Sequence, residues 1–233
     1  MSTLIKVVIA LVISIFLTSC QFDINLSGVK GNGNVVTHQR EVDQTFSAIK
    51  ATEGLDVFVS QGPKTTIKVE ADENVIDLIR TQVSNGELHI DCEDPIGNAT
   101  KKVYVTIPEI TALKSSSGAE LSSIGTIKGD AITLDASSGS ELDVEIQAKD
   151  INSESSSGAE IVVYGVANFL EARASSGAEI EAEKLETNSV KAKASSGGRI
   201  SVHAKEKISI STSSGGDVDY KGDPQVVSKE SMF

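Results

Sequence analysis

Ser116-Ser117-Gly118-Ala119-Glu120 is the first of six closely similar segments that together decide the fold of this 233-residue chain. Their central glycines follow one another at intervals of 21, 19, 19, 20 and 18 residues. A period this regular predicts a stacked repeat, in which each copy is one structural unit. The other five segments are Ser137-Ser138-Gly139-Ser140-Glu141, Ser156-Ser157-Gly158-Ala159-Glu160, Ser175-Ser176-Gly177-Ala178-Glu179, Ser195-Ser196-Gly197-Gly198-Arg199 and Ser213-Ser214-Gly215-Gly216-Asp217.

The residues on either side of each glycine alternate between apolar and polar with a period of two, which is the pattern of β-strands. A coil of about 20 residues is too short to hold a strand and a full helix. The residue after the glycine is always small, as a narrow corner requires, and the glycine permits backbone angles that other residues resist. We therefore predict an all-β solenoid with corner glycines at Gly118, Gly139, Gly158, Gly177, Gly197 and Gly215.

The segment from Phe46 to Pro108 is strand-like but less regular than the repeats. Its apolar spacing between residues 72 and 83 predicts a short helix with Asp72 near its N-cap, and Asn85-Gly86 predicts a tight turn. Repeat arrays need atypical ends that hide the terminal coil, so we interpret this segment as early, looser coils and a cap. A separate N-terminal β-domain is the alternative. The solenoid head domain is predicted to span residues 46–223, with a C-terminal tail at 224–233.

Residues 1–19 have the features of a lipoprotein signal peptide. Lys6 precedes an apolar run at residues 7–17, which is shorter than the roughly 20 residues that span a bilayer. Leu17-Thr18-Ser19-Cys20 resembles a bacterial lipobox, so we predict that Cys20 carries fatty acyl chains such as palmitate and begins a tether at residues 20–45. This predicts an exported protein on the outer membrane or cell surface. An ordinary signal peptide followed by a chance cysteine is the alternative.

Charge and cysteine content exclude several functions. Without residues 1–19 the chain has 33 acidic and 20 basic residues, a net charge of −13, which disfavours binding to nucleic acid or to an anionic membrane surface. With Cys20 assigned to lipid, Cys92 is the only other cysteine and no internal disulfide is expected. Cys92 lies on the apolar side of a predicted strand, where a buried core residue is the expected role.

The outward positions after the corners predict a charged face. If the coils stack in register, four carboxylates lie about one strand spacing apart, an arrangement that needs screening, pairing or a bridging cation. A solvated acidic face without any cofactor is the expected role, and calcium, which takes several carboxylate oxygens, is the alternative. The residues of this candidate interaction or cation face are Glu120, Glu141, Glu160, Glu179, Arg199 and Asp217.

Catalytic motifs are absent from the sequence. His38, His89 and His203 lie far apart without partners at metal-ligand spacing, and neither Gly-x-Ser-x-Gly nor His-Glu-x-x-His occurs. We therefore predict no catalytic residue, no metal site and no cofactor. Acidic solenoid faces also occur in enzymes that act on polysaccharides with paired carboxylates, so such an enzyme is the alternative function.

Beyond the repeats, the chain contains Gly31-Asn32-Gly33-Asn34-Val35, Phe46-Ser47-Ala48-Ile49, Gly54-Leu55-Asp56-Val57, Gln61-Gly62 and Asn85-Gly86-Glu87-Leu88-His89-Ile90 in that order. Together with the segment Val75 to Val83 and the Ser-Gly-Ala-Glu repeats, they resemble the "putative auto-transporter adhesin, head GIN domain" family. The resemblance covers about Phe46 to Tyr220. It implies a right-handed parallel β-helix, placement in the bacterial cell envelope and no catalytic residues.

These observations predict a lipid-anchored interaction or adhesion module of the cell envelope. Its expected partners are the membrane, through the lipid anchor, and a polysaccharide or a surface protein of the envelope or host; nucleic acid is not expected. A flat, repetitive outer face would favour this function. A cleft with non-repeated carboxylates of shifted pKa would favour the polysaccharide-acting enzyme.

Overall fold

Sixteen β-strands make up most of residues 28–232, the part of the chain that the computed structural model describes. They join into one sheet that winds into about six turns of a β-solenoid, which confirms the predicted fold class. The strands are β1 (Val35–Arg40), β2 (Ala48–Ala51), β3 (Asp56–Gln61), β4 (Thr66–Asp72), β5 (Ile79–Ser84), β6 (Glu87–Cys92), β7 (Lys101–Ile107), β8 (Ala112–Ser115), β9 (Glu120–Ser123), β10 (Ile127–Ala136), β11 (Glu141–Ser155), β12 (Glu160–Ala174), β13 (Glu179–Ser195), β14 (Arg199–Ser213), β15 (Asp217–Lys221) and β16 (Gln225–Met232).

The long strands β11 to β14 each contribute to two faces of the solenoid. The beginning of β11 pairs in parallel with β9, and its end pairs in parallel with β10. We call the side that contains β3, β7, β9, the beginnings of β11 to β14, and β15 the first face. The second face contains β2, β6, β8, the ends of β10 to β14, and β16. Backbone hydrogen bonds between successive coils therefore run along both faces.

The period-two alternation of the sequence corresponds to inward and outward side chains. Leu142 of β11 lies opposite Leu121 on one side and Ile161 on the other, and the column continues through Ile180 and Ile200. All five side chains are buried. Stacked aliphatic columns of this kind form the core, which runs without interruption from Ile49 to Ile210.

Each Ser-Ser-Gly corner is a tight turn with two consecutive residues in the left-handed region. In the third corner φ is +54° at Ser157 and +70° at Gly158, and the Ala159 N–H donates to the Ser156 carbonyl at 3.2 Å. This pattern is that of a type I′ turn, in which both central residues need positive φ. The Gly158 N–H also donates to the Ser176 carbonyl of the next corner, at 3.2 Å. All six corner glycines have φ between +66° and +75°, and the corners are linked to one another in the same way.

The inward position after each corner glycine has little room. Ala159 and its equivalents other than Gly216 are buried, and at Gly198 a Cβ atom would lie 2.5 Å from the Ala174 carbonyl oxygen. Ser140 occupies this position in the second corner, where its hydroxyl lies 3.0 Å from the buried hydroxyl of Ser115. The close approach of successive coils explains why no larger side chain follows the glycines.

The first coils are not stacked in the order of the chain. The coil formed by β2 and β3 lies between the β8–β9 coil and the β6–β7 coil. Its corner, Glu53-Gly54, has the same pair of positive φ angles, +61° and +66°, and the Gly54 N–H donates to the Ser117 carbonyl at 3.0 Å. A seventh corner therefore exists in which glutamate takes the place of serine.

Antiparallel strands close the N-terminal end of the stack. β4 pairs with β7, β1 pairs with β4 and β5 pairs with β6, all antiparallel. The connection from β5 to β6 is the predicted Asn85-Gly86 turn, with φ of +53° and +78°. β1 lies within the predicted tether, and β16, within the predicted tail, continues the second face by pairing in parallel with β14.

The predicted helix at residues 72–83 is wrong. One turn of 3-10 helix, Ile76–Leu78, is followed directly by β5. Val75, Ile76 and Ile79 are buried in the core, so their apolar spacing reflects packing of a turn and a strand rather than a helical face. The Asp72 carboxylate accepts from the Thr100 N–H at 2.9 Å and caps no helix.

Candidate functional site

The six residues of the predicted charged face form one column on the first face. Glu120, Glu141, Glu160 and Glu179 lie directly opposite one another on four neighbouring parallel strands. Two further pairings extend the column: Glu179 with Arg199, and Arg199 with Asp217. Toward the N-terminal end it continues through Asp56 and Lys102.

Like charges in this column perturb one another. The pKa of Glu160 lies above its ordinary value, first because burial disfavours the ionised carboxylate and then because Glu181, Glu141 and Glu179 repel it. Beside this position is a groove of about 310 Å³ whose lining includes Tyr164, Glu179, Glu181 and Glu183. The groove therefore brings several carboxylates together, although Lys184 also lines it and Lys221 forms an ion pair with Glu183.

Residues 28–232 contain no group of three or more His, Cys, Asp or Glu side chains arranged to hold a metal ion. The absence of a cofactor, with calcium binding by the acidic column as its alternative, stays a prediction. In the same range no helix has the length and apolarity needed to cross a membrane. Cys20 and the predicted signal peptide lie outside the described residues, so lipidation also remains a prediction.

Several charged side chains on the second face form ion pairs with one another. Lys114 lies 2.6 Å from Glu87, and Lys191 lies 2.9 Å from Glu171, which also contacts Arg173. The pKa of Glu171 lies below its ordinary value because Lys191 donates a hydrogen bond to it, with a further contribution from the charge of Arg173; partial burial opposes the shift. These glutamates are therefore balanced by neighbouring basic groups.

Cys92 is buried, with 4% of its surface exposed, and its thiol is free. Burial, together with the charge of Glu53, raises the pKa of this thiol to about 11. A thiol of this kind is a poor nucleophile at neutral pH, and Cys92 acts as a small core residue in β6.

A feature that sequence reasoning missed lies at the N-terminal end of the first face. Phe58 of β3 and Tyr104 of β7 are directly paired, and their rings stack with centroids 5.1 Å apart and an interplanar angle of 20°. The Lys68 ammonium lies 4.0 Å from the centre of the Tyr104 ring. The signal was present in the sequence, because both aromatic residues occupy outward positions of alternating strands, where polar residues are the rule.

A family model described as "Putative auto-transporter adhesin, head GIN domain" matches residues 45–224, which confirms the resemblance noted in the sequence. No curated protein matches the chain.

Several solved structures have the same fold. A "putative adhesin" from Bacteroides fragilis NCTC 9343 superposes with a TM-score of 0.79 at 20% identity, over 88% of this chain and 95% of that one. A "Putative lipid binding protein" from Parabacteroides distasonis ATCC 8503 has a TM-score of 0.71 at 21% identity, over 88% and 96%. A "putative adhesin" from Parabacteroides merdae ATCC 43184 has a TM-score of 0.69 at 20% identity, over 88% and 99%. Because the sequence identities are this low, the superpositions establish a shared fold and nothing about function.

Proposed function

Because the chain belongs to the "Putative auto-transporter adhesin, head GIN domain" family, we propose that it is an exported, lipid-anchored adhesion module that binds through the outer faces of its solenoid and catalyses no reaction. Cys20 anchors the protein in the outer membrane, and the tether after it lets the solenoid extend from the membrane. The partner is a polysaccharide or a protein on the surface of the envelope or of a host.

The observation that carries this proposal is the in-register column of outward side chains on the first face. Glu120, Glu141, Glu160 and Glu179 repeat the same chemistry on four adjacent strands, at strand spacings of about 4.8 Å. A catalytic site needs a few different groups that converge on one reacting atom. A column of identical groups instead offers many equivalent contacts to an extended partner, whose weak individual interactions add together.

Two measurements test the proposal. The full-length chain, purified in detergent, is screened against arrays of glycans and of envelope proteins; saturable binding supports an adhesion module, and the absence of binding to both arrays contradicts it. Cells that express the chain are grown with a clickable fatty-acid analogue, and the Cys20→Ala variant serves as the control. Label on the unmodified chain alone supports the lipid anchor, whereas equal or absent labelling of both contradicts it.

One observation favours a polysaccharide-acting enzyme as the second candidate. The pKa of Glu160 is raised, and the groove beside it is lined by other carboxylates. In glycoside cleavage, a carboxyl group of raised pKa acts as the acid and a second carboxylate acts as the base or nucleophile. Incubation of the purified chain with soluble polysaccharides, followed by measurement of new reducing ends, separates the two candidates. Turnover that Glu160→Gln abolishes would establish the enzyme, and a product yield equal to that of heat-denatured protein would eliminate it.

A further inference from the structure

The aromatic pair on the first face forms one wall of a groove of about 290 Å³. Two neighbouring rows of outward side chains border this groove, as the strand registers of β4, β7 and β3 place them. One row consists of Lys68, Tyr104 and Phe58, and the other of Thr66, Thr106 and Ser60. Gln39 and Ile124 complete the lining.

The two rows differ in chemistry. Phe58 and Tyr104 offer apolar ring surface, which Ile124 extends with a side chain that is 55% exposed. The opposite row offers hydroxyl groups; those of Ser60 and Thr106 lie 2.8 Å apart and hold each other in place. Each hydroxyl can still accept a further hydrogen bond. A ligand that fits both rows has an apolar face on one side and hydroxyl groups on the other.

The charged side chains around the groove further limit which class of ligand it can bind. Among residues 28–232, Lys68 is the single charged residue in its lining, and its ammonium is already engaged by the Tyr104 ring and by Glu70 at 3.9 Å. No carboxylate of the described residues lines the groove, although the chain has a net charge of −12. The overall charge repels anionic polymers, so the groove suits an uncharged polar molecule better than an acidic one.

We propose that this groove binds a neutral hexose unit of a surface glycan. One face of a hexose ring carries C–H groups that pack on aromatic surface, and the ring edge carries hydroxyls that pair with Ser, Thr and Gln side chains. The volume of about 290 Å³ is near the lower limit of about 300 Å³ for small-molecule pockets, so the groove suits a small ligand. The inference rests on the proposed adhesion function and gives it a ligand class and a location.

Cross-strand aromatic pairs also stabilise sheets, and the Phe58–Tyr104 pair has this effect on β3 and β7. Sheet stabilisation alone requires neither an exposed Ile124 nor a row of hydroxyls facing the rings across a groove. The Thr106→Val substitution distinguishes sugar binding from sheet stabilisation. This substitution keeps the β-branched shape and removes one hydroxyl from the groove, so it weakens sugar binding and leaves the aromatic pair intact.

The test measures the binding of the full-length chain, in a detergent without sugar groups, to neutral oligomers of glucose, mannose, galactose and N-acetylglucosamine. Oligogalacturonate and sialyllactose are the acidic comparisons. We expect saturable binding to at least one neutral oligomer. Phe58→Leu and Tyr104→Leu should weaken it about tenfold or more, and Thr106→Val severalfold. Phe169→Leu is the matched control, because it removes a partly exposed aromatic ring of β12 that lines neither groove and should leave the affinity unchanged.

Thermal unfolding of each variant separates binding from folding. Loss of binding in Thr106→Val, with an unfolding midpoint equal to that of the unmodified chain, supports the sugar site. Three results overturn it: binding to the acidic sugars only, equal affinity in the unmodified chain and all groove variants, or loss of binding in Phe169→Leu alone. If the groove variants still attach to whole cells as well as the unmodified chain, the adhesion function stands and the sugar site is wrong.

Discussion

Ser153 and Ser155 lie two residues apart on β11 with both side chains fully buried, yet only the hydroxyl of Ser155 is hydrogen-bonded. It donates to the Ala159 carbonyl at 2.9 Å. Within residues 28–232 the Ser153 hydroxyl has no partner. In the next two coils the position of Ser153 is occupied by Ala172 and Ala192, so an alanine fits the column.

The first prediction follows from this difference. Ser153→Ala removes a buried hydroxyl that makes no hydrogen bond, so it should stabilise the fold by about 1 kcal/mol. Ser155→Ala removes a satisfied hydroxyl and should destabilise it by a similar amount. Urea unfolding of both variants measures the two changes. A loss of stability in Ser153→Ala equal to that in Ser155→Ala would contradict the prediction.

The second prediction separates the two kinds of glycine in the corners. Gly158 has positive φ and open space around the missing side chain, so Gly158→Ala should cost about 1 kcal/mol through backbone strain alone. Gly198 lacks positive φ but touches the Ala174 backbone, so Gly198→Ala must push two coils apart and should cost about 3 kcal/mol. Urea midpoints compare the two variants directly. An equal loss of stability in both variants, or a larger loss in Gly158→Ala, would show that crowding by the Ala174 backbone does not explain the glycine at position 198.

The third prediction concerns the acidic column. Because the folded-state pKa of Glu160 lies above its ordinary value of 4.5, the folded chain binds this proton more tightly than the unfolded chain. The contribution of Glu160 to stability is therefore fully present below pH 4.5 and is lost as pH rises through the folded-state pKa. Glu160→Gln should raise the melting temperature by about 1–3 °C at pH 8 and leave it unchanged at pH 4.

Glu109→Gln is the control for this experiment, because Glu109 is exposed and lies outside the column. It should change the melting temperature at neither pH. A melting temperature of Glu160→Gln that is lower than that of the unmodified chain at pH 8 would mean that a cation or a basic group stabilises the ionised carboxylate. Repeating the melt with calcium and with a chelator then tests whether calcium is that cation.

The fourth prediction concerns the free thiol. With a pKa of about 11, only about one Cys92 thiol in a thousand is ionised at pH 8, and the side chain is buried as well. In the Cys20→Ala variant, which leaves a single thiol, Ellman's reagent should react within minutes only after unfolding in guanidinium. Fast reaction of the folded protein at pH 8 would show that the β5–β6 end of the stack opens readily.

The repeats made the fold predictable from the sequence. Each corner near Gly139, Gly158 and Gly177 is specified by adjacent residues, and the alternation around it specifies which side chains point inward. Because parallel stacking in register repeats the same local pattern, the column from Glu120 to Glu179 also follows from the sequence.

The N-terminal third could not be predicted to the same degree, because long-range pairing decides it. Nothing local to β2 and β6 indicates that they become neighbours, and apolar spacing around Val75 to Ile79 fits a helix as well as a turn followed by a strand. The sugar site depends on the same pairing. Phe58 and Tyr104 are 46 residues apart in the chain and meet only because β3 pairs with β7.

Attachment of cells that display this chain tests the adhesion proposal most directly. Cells with the full-length chain and otherwise identical cells without it are applied to surfaces coated with neutral glycans or envelope proteins, and the attached fraction is measured under flow. The proposal predicts greater attachment of the displaying cells, and inhibition of this attachment by added purified chain. Equal attachment of both cell types on every surface would contradict it.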